Sequence, residues 1–213
     1  MQGACIFARE PSAVPQKRTQ EITTKMATKS AELRQKKTAP GDLALVHAFL
    51  NTWDMIGPRE RFETPERMQD WFVKRSLLPA TTTLSKADFE LVHKLREGLR
   101  RVLATADHGQ PVDRKAIWDL NHLVETIPLV VHFDDQGKPG LVPPGSQLKA
   151  ALGSILAIIL VADLEGAWQR LKICRNPDCQ RAFFDSSKNK SAVWCTTQGC
   201  GNRLNARAYR ARQ

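Results

Sequence analysis

The chain has 213 residues, of which 25% are charged, and carries a formal charge of +10. That length suits one ordinary domain with its own core plus a small module. The charge is divided as +5 over residues 1–37, −3 over 38–165 and +8 over 166–213. Met1 to Ala13 carries the early charge Arg9 and has no sustained apolar core, so a secretory signal is not expected and stable disulfides are disfavoured.

Residues 1–40 are rich in Gln, Lys, Thr, Ser and Ala and show no apolar periodicity, which predicts a flexible basic arm. Its eight Lys and Arg could add nonspecific DNA contacts; a solvated linker is the default. Met26 opens Met-Ala-Thr-Lys-Ser, so translation could start there as well as at Met1, and Cys5 would then be lost.

Residues 41–170 read as one largely helical domain. Leu43, Val46, Phe49, Leu50 and Trp53 fit the apolar stripe of a first helix. Thr64-Pro65-Glu66 gives an N-cap with Pro at the first helical position, ahead of Met68, Trp71 and Phe72. Ser85 and Asp88 approximate a capping box before Phe89, Val92, Leu95, Leu99, Val102 and Leu103, with Gly109 as the stop. A further helix is expected from Asp113 to Glu125, on Ile117, Leu120 and Leu123 or Val124, and Pro128 ends it. The period then changes: Leu129 to Phe133 and Lys138 to Val142 flank a turn at Asp134-Asp135, predicting a β-hairpin. Gln147 to Leu171 returns to helix. Its unbroken apolar run, Ala150 to Ala162, is short for a bilayer span and predicts the central buried helix of the domain, with no membrane segment elsewhere.

Nothing in this region points to catalysis, and the chain reads as a non-enzyme. There is no Gly-x-Ser-x-Gly elbow and no phosphate loop. His47, His93, His108, His122 and His132 are scattered, without the His-x3-His spacing of a second metal site. Asn51 and Asn121 each follow apolar helical positions and are the polar candidates for a ligand pocket; a satisfied core hydrogen bond or a cap is the plainer reading of both.

Residues 171–213 form the small module. Cys174-x4-Cys179 and Cys195-x4-Cys200 are two short loops able to bring four thiolates to one tetrahedral ion, and soft sulfur favours Zn2+ among abundant metals. Four sulfurs close the coordination sphere, so such an ion is structural and supplies folding free energy to a segment with little core. Two disulfides or an iron–sulfur cluster could use the same cysteines. Between the pairs, Phe183, Phe184, Val193 and Trp194 flank a polar middle with Lys188 and Lys190, which predicts a β-hairpin with the lysines at its tip, touching phosphates or simply solvated. Trp194 suits packing more readily than base stacking.

Four thiolates and one divalent ion lower the segment charge of +8 to about +6, still strongly basic. No Asp or Glu follows Asp185. After Gly201 the chain favours a short helix that places Arg203, Arg207 and Arg210 at i, i+4 and i+7, with Arg212 and Asn205 on a neighbouring face. Such an unbalanced stripe is the footprint of a polyanion binder, and the arginine fork suits phosphate oxygens or guanine edges. Arg175, Lys188 and Lys190 would support it.

The segment Cys-Arg-Asn-Pro-Asp-Cys at 174–179, Phe184-Asp185, Trp194-Cys195 and Cys200-Gly201-Asn202-Arg203 resemble the CGNR zinc finger. The resemblance implies Cys174, Cys179, Cys195 and Cys200 as zinc ligands and places Asn202 and Arg203 in the named motif, where Asn202 can serve as a helix cap. In that family, largely bacterial, the finger follows an ABATE domain, and the proteins are described as stress-induced transcription regulators. Ala44 to Thr52, Trp71, Leu95-Arg96-Glu97 and Leu120-Asn121 are similar to the ABATE half; Ala48 departs from it where relatives carry Asp.

These readings predict an α+β, mostly helical chain: a basic arm (1–40), a helical sensor domain with one small hairpin (41–170) and a four-cysteine finger built of a β-hairpin and a short basic helix (171–213). The implied activity is DNA binding by a cytoplasmic, nucleoid-associated bacterial transcription regulator that answers an unknown effector. A homodimer would double the contact surface and read a two-fold site. The alternatives are an RNA-binding protein and a zinc module used for protein–protein interaction.

Overall fold

The structure, a computed structural model, describes residues 38–54, 59–106 and 113–213. Residues 1–37 of the predicted basic arm, Cys5, Met26, His108 and Gly109 lie outside the described residues; the arm's predicted end departs from expectation, because Ala39 is buried in the core. Residues 37–213 form one compact α+β unit.

Helix α1 (Leu43–Leu50) buries Leu43, Val46, Phe49 and Leu50, as the stripe predicts. Trp53 leaves the helix for a short strand, β1 (Trp53–Asp54), paired antiparallel with β2 (Arg59–Glu60). Helix α2 (Pro65–Val73) starts where Thr64 accepts the Arg67 N–H at 3.3 Å, with Pro65 in its first turn, and buries Met68, Trp71 and Phe72. These aromatics meet Phe49 and Phe62 with ring centroids 5.1–6.5 Å apart, the apolar centre of the fold.

Helix α3 (Lys86–Ala106) is the long axis. Its capping box is made as expected: the Asp88 carboxylate accepts the Ser85 N–H at 2.9 Å, and the Ser85 hydroxyl accepts the Asp88 N–H at 3.1 Å. Val92, Leu95, Leu99 and Leu103 are buried on it, and so are Arg96 and Arg100. Arg96 stays inside because Glu60 takes its guanidinium with two bonds, at 2.7 and 2.6 Å, and Thr52 takes a third at 2.9 Å. Helix α4 (Arg114–Val124) is capped by Asp113 and lies against α3, with Leu120 over Gly98, where an added Cβ would sit 3.0 Å from it.

Strands β3 (Val130–Phe133) and β4 (Pro139–Val142) form the predicted hairpin. The Asp134 carboxylate closes its turn by accepting the Gln136 and Lys138 N–H groups, each at 2.9 Å, and Gly137 supplies the left-handed φ of 78°.

Helix α5 (Gln147–Leu164) departs from the expectation of a central buried helix. Its first half, with Leu148, Ala151, Leu152 and Ile155, is buried, and Gly153 lies so close to Pro143 that a Cβ there would be 2.3 Å from the ring. Its second half leaves Leu160, Val161 and Leu164 exposed. An unbroken apolar run hides this difference, because it carries no periodicity to mark a solvent side. By length and composition alone α5 could cross a membrane, although the run inside it reads as too short; its packed first half makes it a core helix of this fold.

A single 3-10 turn (Trp168–Arg170) leads into β5 (Leu171–Ile173), which pairs antiparallel with β6 (Ala182–Phe184). The hairpin predicted between Phe183-Phe184 and Val193-Trp194 is therefore replaced by one whose turn is the first cysteine loop. Residues 185–192 are held instead by side chains: Asp185 accepts the Ser187 and Ala192 N–H groups, and the Lys172 ammonium donates to the carbonyls of Lys190 and Ala192 at 2.6 and 3.3 Å.

Leu152→Ala should cost about 2–5 kcal/mol, whereas Leu164→Ala should stay within about 0.5 kcal/mol. Equilibrium urea unfolding of the two variants checks the half-buried state of α5.

Candidate metal centre and its basic helix

The two cysteine loops are shaped by backbone bonds before any ion is considered. In the first, the Cys179 and Gln180 N–H groups donate to the Asn176 carbonyl at 2.9 and 3.0 Å, and the Asn176 side chain accepts the Asp178 N–H at 3.0 Å. Gln180, at φ 45°, turns the chain back toward β6. In the second, the Thr196 hydroxyl accepts the Gly199 N–H at 3.2 Å, and its carbonyl accepts those of Cys200 and Gly201, each at 3.1 Å. The loops converge: the Sγ atoms of Cys174, Cys179, Cys195 and Cys200 all lie within 4.8 Å of one another, and all four residues are buried. Cys195 Sγ is 3.6 Å from both Cys179 Sγ and Cys200 Sγ. Tetrahedral zinc–sulfur bonds of about 2.3 Å separate their sulfurs by about 3.8 Å.

The donor set fits one structural zinc ion. The Asn176 and Cys195 N–H groups point at Cys174 Sγ and the Arg181 N–H at Cys179 Sγ, the bonds that orient and stabilise thiolates. Without a cation the sulfurs compete for charge. Cys174, receiving hydrogen bonds from Cys179 and Cys195, falls to about 2, while the Cys174 thiolate pushes Cys179 well above and Cys195 up to about 12. A divalent ion removes that conflict, since each thiolate then faces a nearby positive charge.

Around the sulfurs the module packs Phe183, Ala192 and Trp194. Trp194 packs against Gly201, where a Cβ would lie 3.1 Å from the ring, so the glycine of the Cys-Gly-Asn-Arg run makes room for the indole. Thr197–Gly201 form a π-helical turn that runs straight into α6 (Asn202–Arg210). Asn202 does not cap that helix: it lies within it, exposed, and the capping hydroxyl is that of Thr196 at the head of the joined turn.

Arg203, Arg207, Arg210 and Arg212 are all exposed, and the arginine stripe forms as spaced. Arg207 stands 3.8 Å from Asp178 of the first loop, with both side chains open to solvent. Arg175 and Lys188 are exposed near the same module, and Lys190, at φ 51°, reaches Gln169 at 3.3 Å. Asn51 and Asn121 do not converge on a pocket. Both ends of the Asn51 amide bind Ala182, and Asn121 is exposed on α4. A cleft of about 750 Å³ lies elsewhere, between the start of α1, the β3–β4 hairpin and α5, lined by Leu43, Val131, Leu141, Ile158 and Val161 with Asp42 and Glu165.

Sequence reasoning did not find the ion pair inside the module. Lys172 and Asp185, both buried, meet at 3.1 Å. Burial alone would raise the Asp185 pKa, but hydrogen bonds from Ser187, Lys172 and Ala192 outweigh it and hold the carboxyl below its usual range. The available signal was a lysine inside the apolar triplet Leu171-Lys172-Ile173.

A family model for ABATE, described as "Putative stress-induced transcription regulator", matches residues 43–165, and the model of the CGNR zinc finger matches residues 170–213. No curated protein matches the chain.

Asp185→Asn should leave the Lys172 ammonium buried without its counter-charge and cost about 3–5 kcal/mol. The stability from ionised Asp185 is complete above its unfolded pKa, about 3.9, and is lost as pH falls through the lower folded value. Unfolding of variant and wild type across acid pH should therefore show a gap that narrows on acidification.

Proposed function

We propose that this chain, which belongs to the ABATE family and carries a CGNR zinc finger at its C-terminus, binds DNA through α6 and regulates transcription in the cytoplasm. The observation that carries this reading is the one-sided charge of α6. Arg203, Arg207 and Arg210 share one exposed face, and no acidic residue follows Asp185. An exposed ion pair such as Arg207 with Asp178 contributes little, so the arginine remains available to a phosphate. The zinc centre acts as a scaffold: it fixes the turn from which α6 starts, and no catalytic step is part of this role.

In this reading the helical domain senses a ligand or stress signal and adjusts the finger. The cleft beside α1 offers an apolar floor with Asp42 and Glu165 among its lining residues, which suits an amphipathic molecule with a cationic end. A second reading, binding to RNA, draws on Tyr209, which is 64% exposed between Arg207 and Arg210 and offers a face for an unpaired base.

The test is binding by the full chain to DNA selected from a random pool, repeated across salt and in competition with total RNA. Arg207→Ala should lower the slope of log affinity against log salt by about 0.9 if it contacts a phosphate, or relax discrimination at one base by about 1–3 kcal/mol if it reads a base edge. Enrichment of no DNA sequence would overturn the reading. Preference for RNA would favour the second, and binding that survives salt would assign the module to a protein partner.

A further inference from the structure

The finger's first cysteine loop is not held by the finger alone. In the β5–β6 register, Ile173 and Ala182 form a pair without mutual hydrogen bonds, so the Ala182 N–H and carbonyl point away from β5. The Asn51 side chain takes both: its Oδ1 accepts the Ala182 N–H at 2.9 Å and its Nδ2 donates to the Ala182 carbonyl at 2.9 Å. His47 Nε2 donates to the same carbonyl at 2.8 Å. Burial, with Arg181 adding to it, pushes the His47 pKa down against that bond, which favours the neutral imidazole.

A second tie lies next to it. Arg100, buried on α3, donates to the Gln180 carbonyl at 2.7 Å and to the Leu50 carbonyl at 2.8 Å. Gln180 is the left-handed residue directly after Cys179. One guanidinium thus joins the end of α1 to the exit of the metal loop. A third contact pairs Arg181 with Asp54 on β1. Residues 180–182 are consequently held from outside by Asn51, His47, Arg100 and Asp54, all more than 40 residues from the nearest cysteine of the module.

We propose that Asn51 and Arg100 are positioning residues for the zinc ion, so that the helical domain itself sets how firmly the first cysteine loop holds metal. Outer partners of this kind fix the backbone that aims N–H groups at the thiolates, here the Arg181 N–H at Cys179 Sγ. The proposal rests on zinc at the four cysteines and stands whether or not α6 binds DNA. It also gives the domain and finger a shared element, because the first turn of α1 lines the cleft while Asn51, at its other end, holds the loop.

The experiment is zinc competition against a chromophoric chelator with the full chain, alongside the thiolate absorption of its Co2+ form. Asn51→Ala and Arg100→Met should each weaken zinc about 10- to 100-fold and alter the cobalt spectrum. Leu152→Ala, in the core on α5 and outside the bonds to residues 180–182, measures the effect of lost stability alone and should leave the spectrum unchanged. If the two variants weaken zinc no more than Leu152→Ala does and keep the wild-type cobalt spectrum, the proposal fails. Should Asn51→Ala not fold, Asn51→Asp keeps the acceptor for the Ala182 N–H and loses the donor to its carbonyl. Wild-type zinc affinity in that variant overturns the proposal, and weakened affinity sustains it.

Discussion

Four sulfurs within 4.8 Å of one another can all be thiolates only around a cation. This constraint governs the last forty residues. Alone, Cys174 takes the charge at a depressed pKa, and its thiolate pushes those of Cys179 and Cys195 up. A zinc ion lets all four ionise and closes two loops at once, which a patch of Phe183, Ala192 and Trp194 could not do by apolar burial alone. The start of α6 depends on the same closure, since Cys200 and Gly201 belong to the π turn that becomes the helix.

What the sequence made legible was local. Caps at Thr64 and Ser85, the turn at Asp134 and the paired cysteine spacing each depend on residues within a few positions of one another, and each is where its spacing places it. What it concealed was long-range or all-apolar. Asn51 reads as a pocket candidate or, more plainly, as a core hydrogen bond or cap, but its partner, Ala182, lies 131 residues away and shows only a backbone amide. The half-exposure of α5 was hidden for the opposite reason, because a run of Ile, Leu, Val and Ala looks the same whichever side is covered.

The misplaced hairpin teaches a third lesson. Phe183-Phe184 and Val193-Trp194 look like two strands across a polar loop, yet β6 pairs with β5. The difference comes from Lys172. Its ammonium takes the carbonyls of Lys190 and Ala192, and its partner Asp185 takes the Ala192 N–H, so these backbone groups are satisfied by side chains and not by a ladder. A buried ion pair of this kind adds little net stability over apolar packing; here it satisfies backbone groups of Lys190 and Ala192 that a second ladder would otherwise take.

The same accounting clarifies the charge of the module. Asp185 is spent on Lys172 inside it, and Arg170 is bonded to the carbonyls of Asp185 and Ser187. Arg181 is turned toward Asp54 of the helical domain. The finger's own charges in these contacts, Lys172, Asp185, Arg170 and Arg181, sum to +2 and face inward or toward the domain. Those left at the surface of α6 are of one sign, with Asp178 the single nearby acid among the described residues of the module, and its pairing with Arg207 is loose. Half of the segment's formal excess of +8 thus stands on Arg203, Arg207, Arg210 and Arg212, three of them on one exposed face of α6, where a polyanion would meet it.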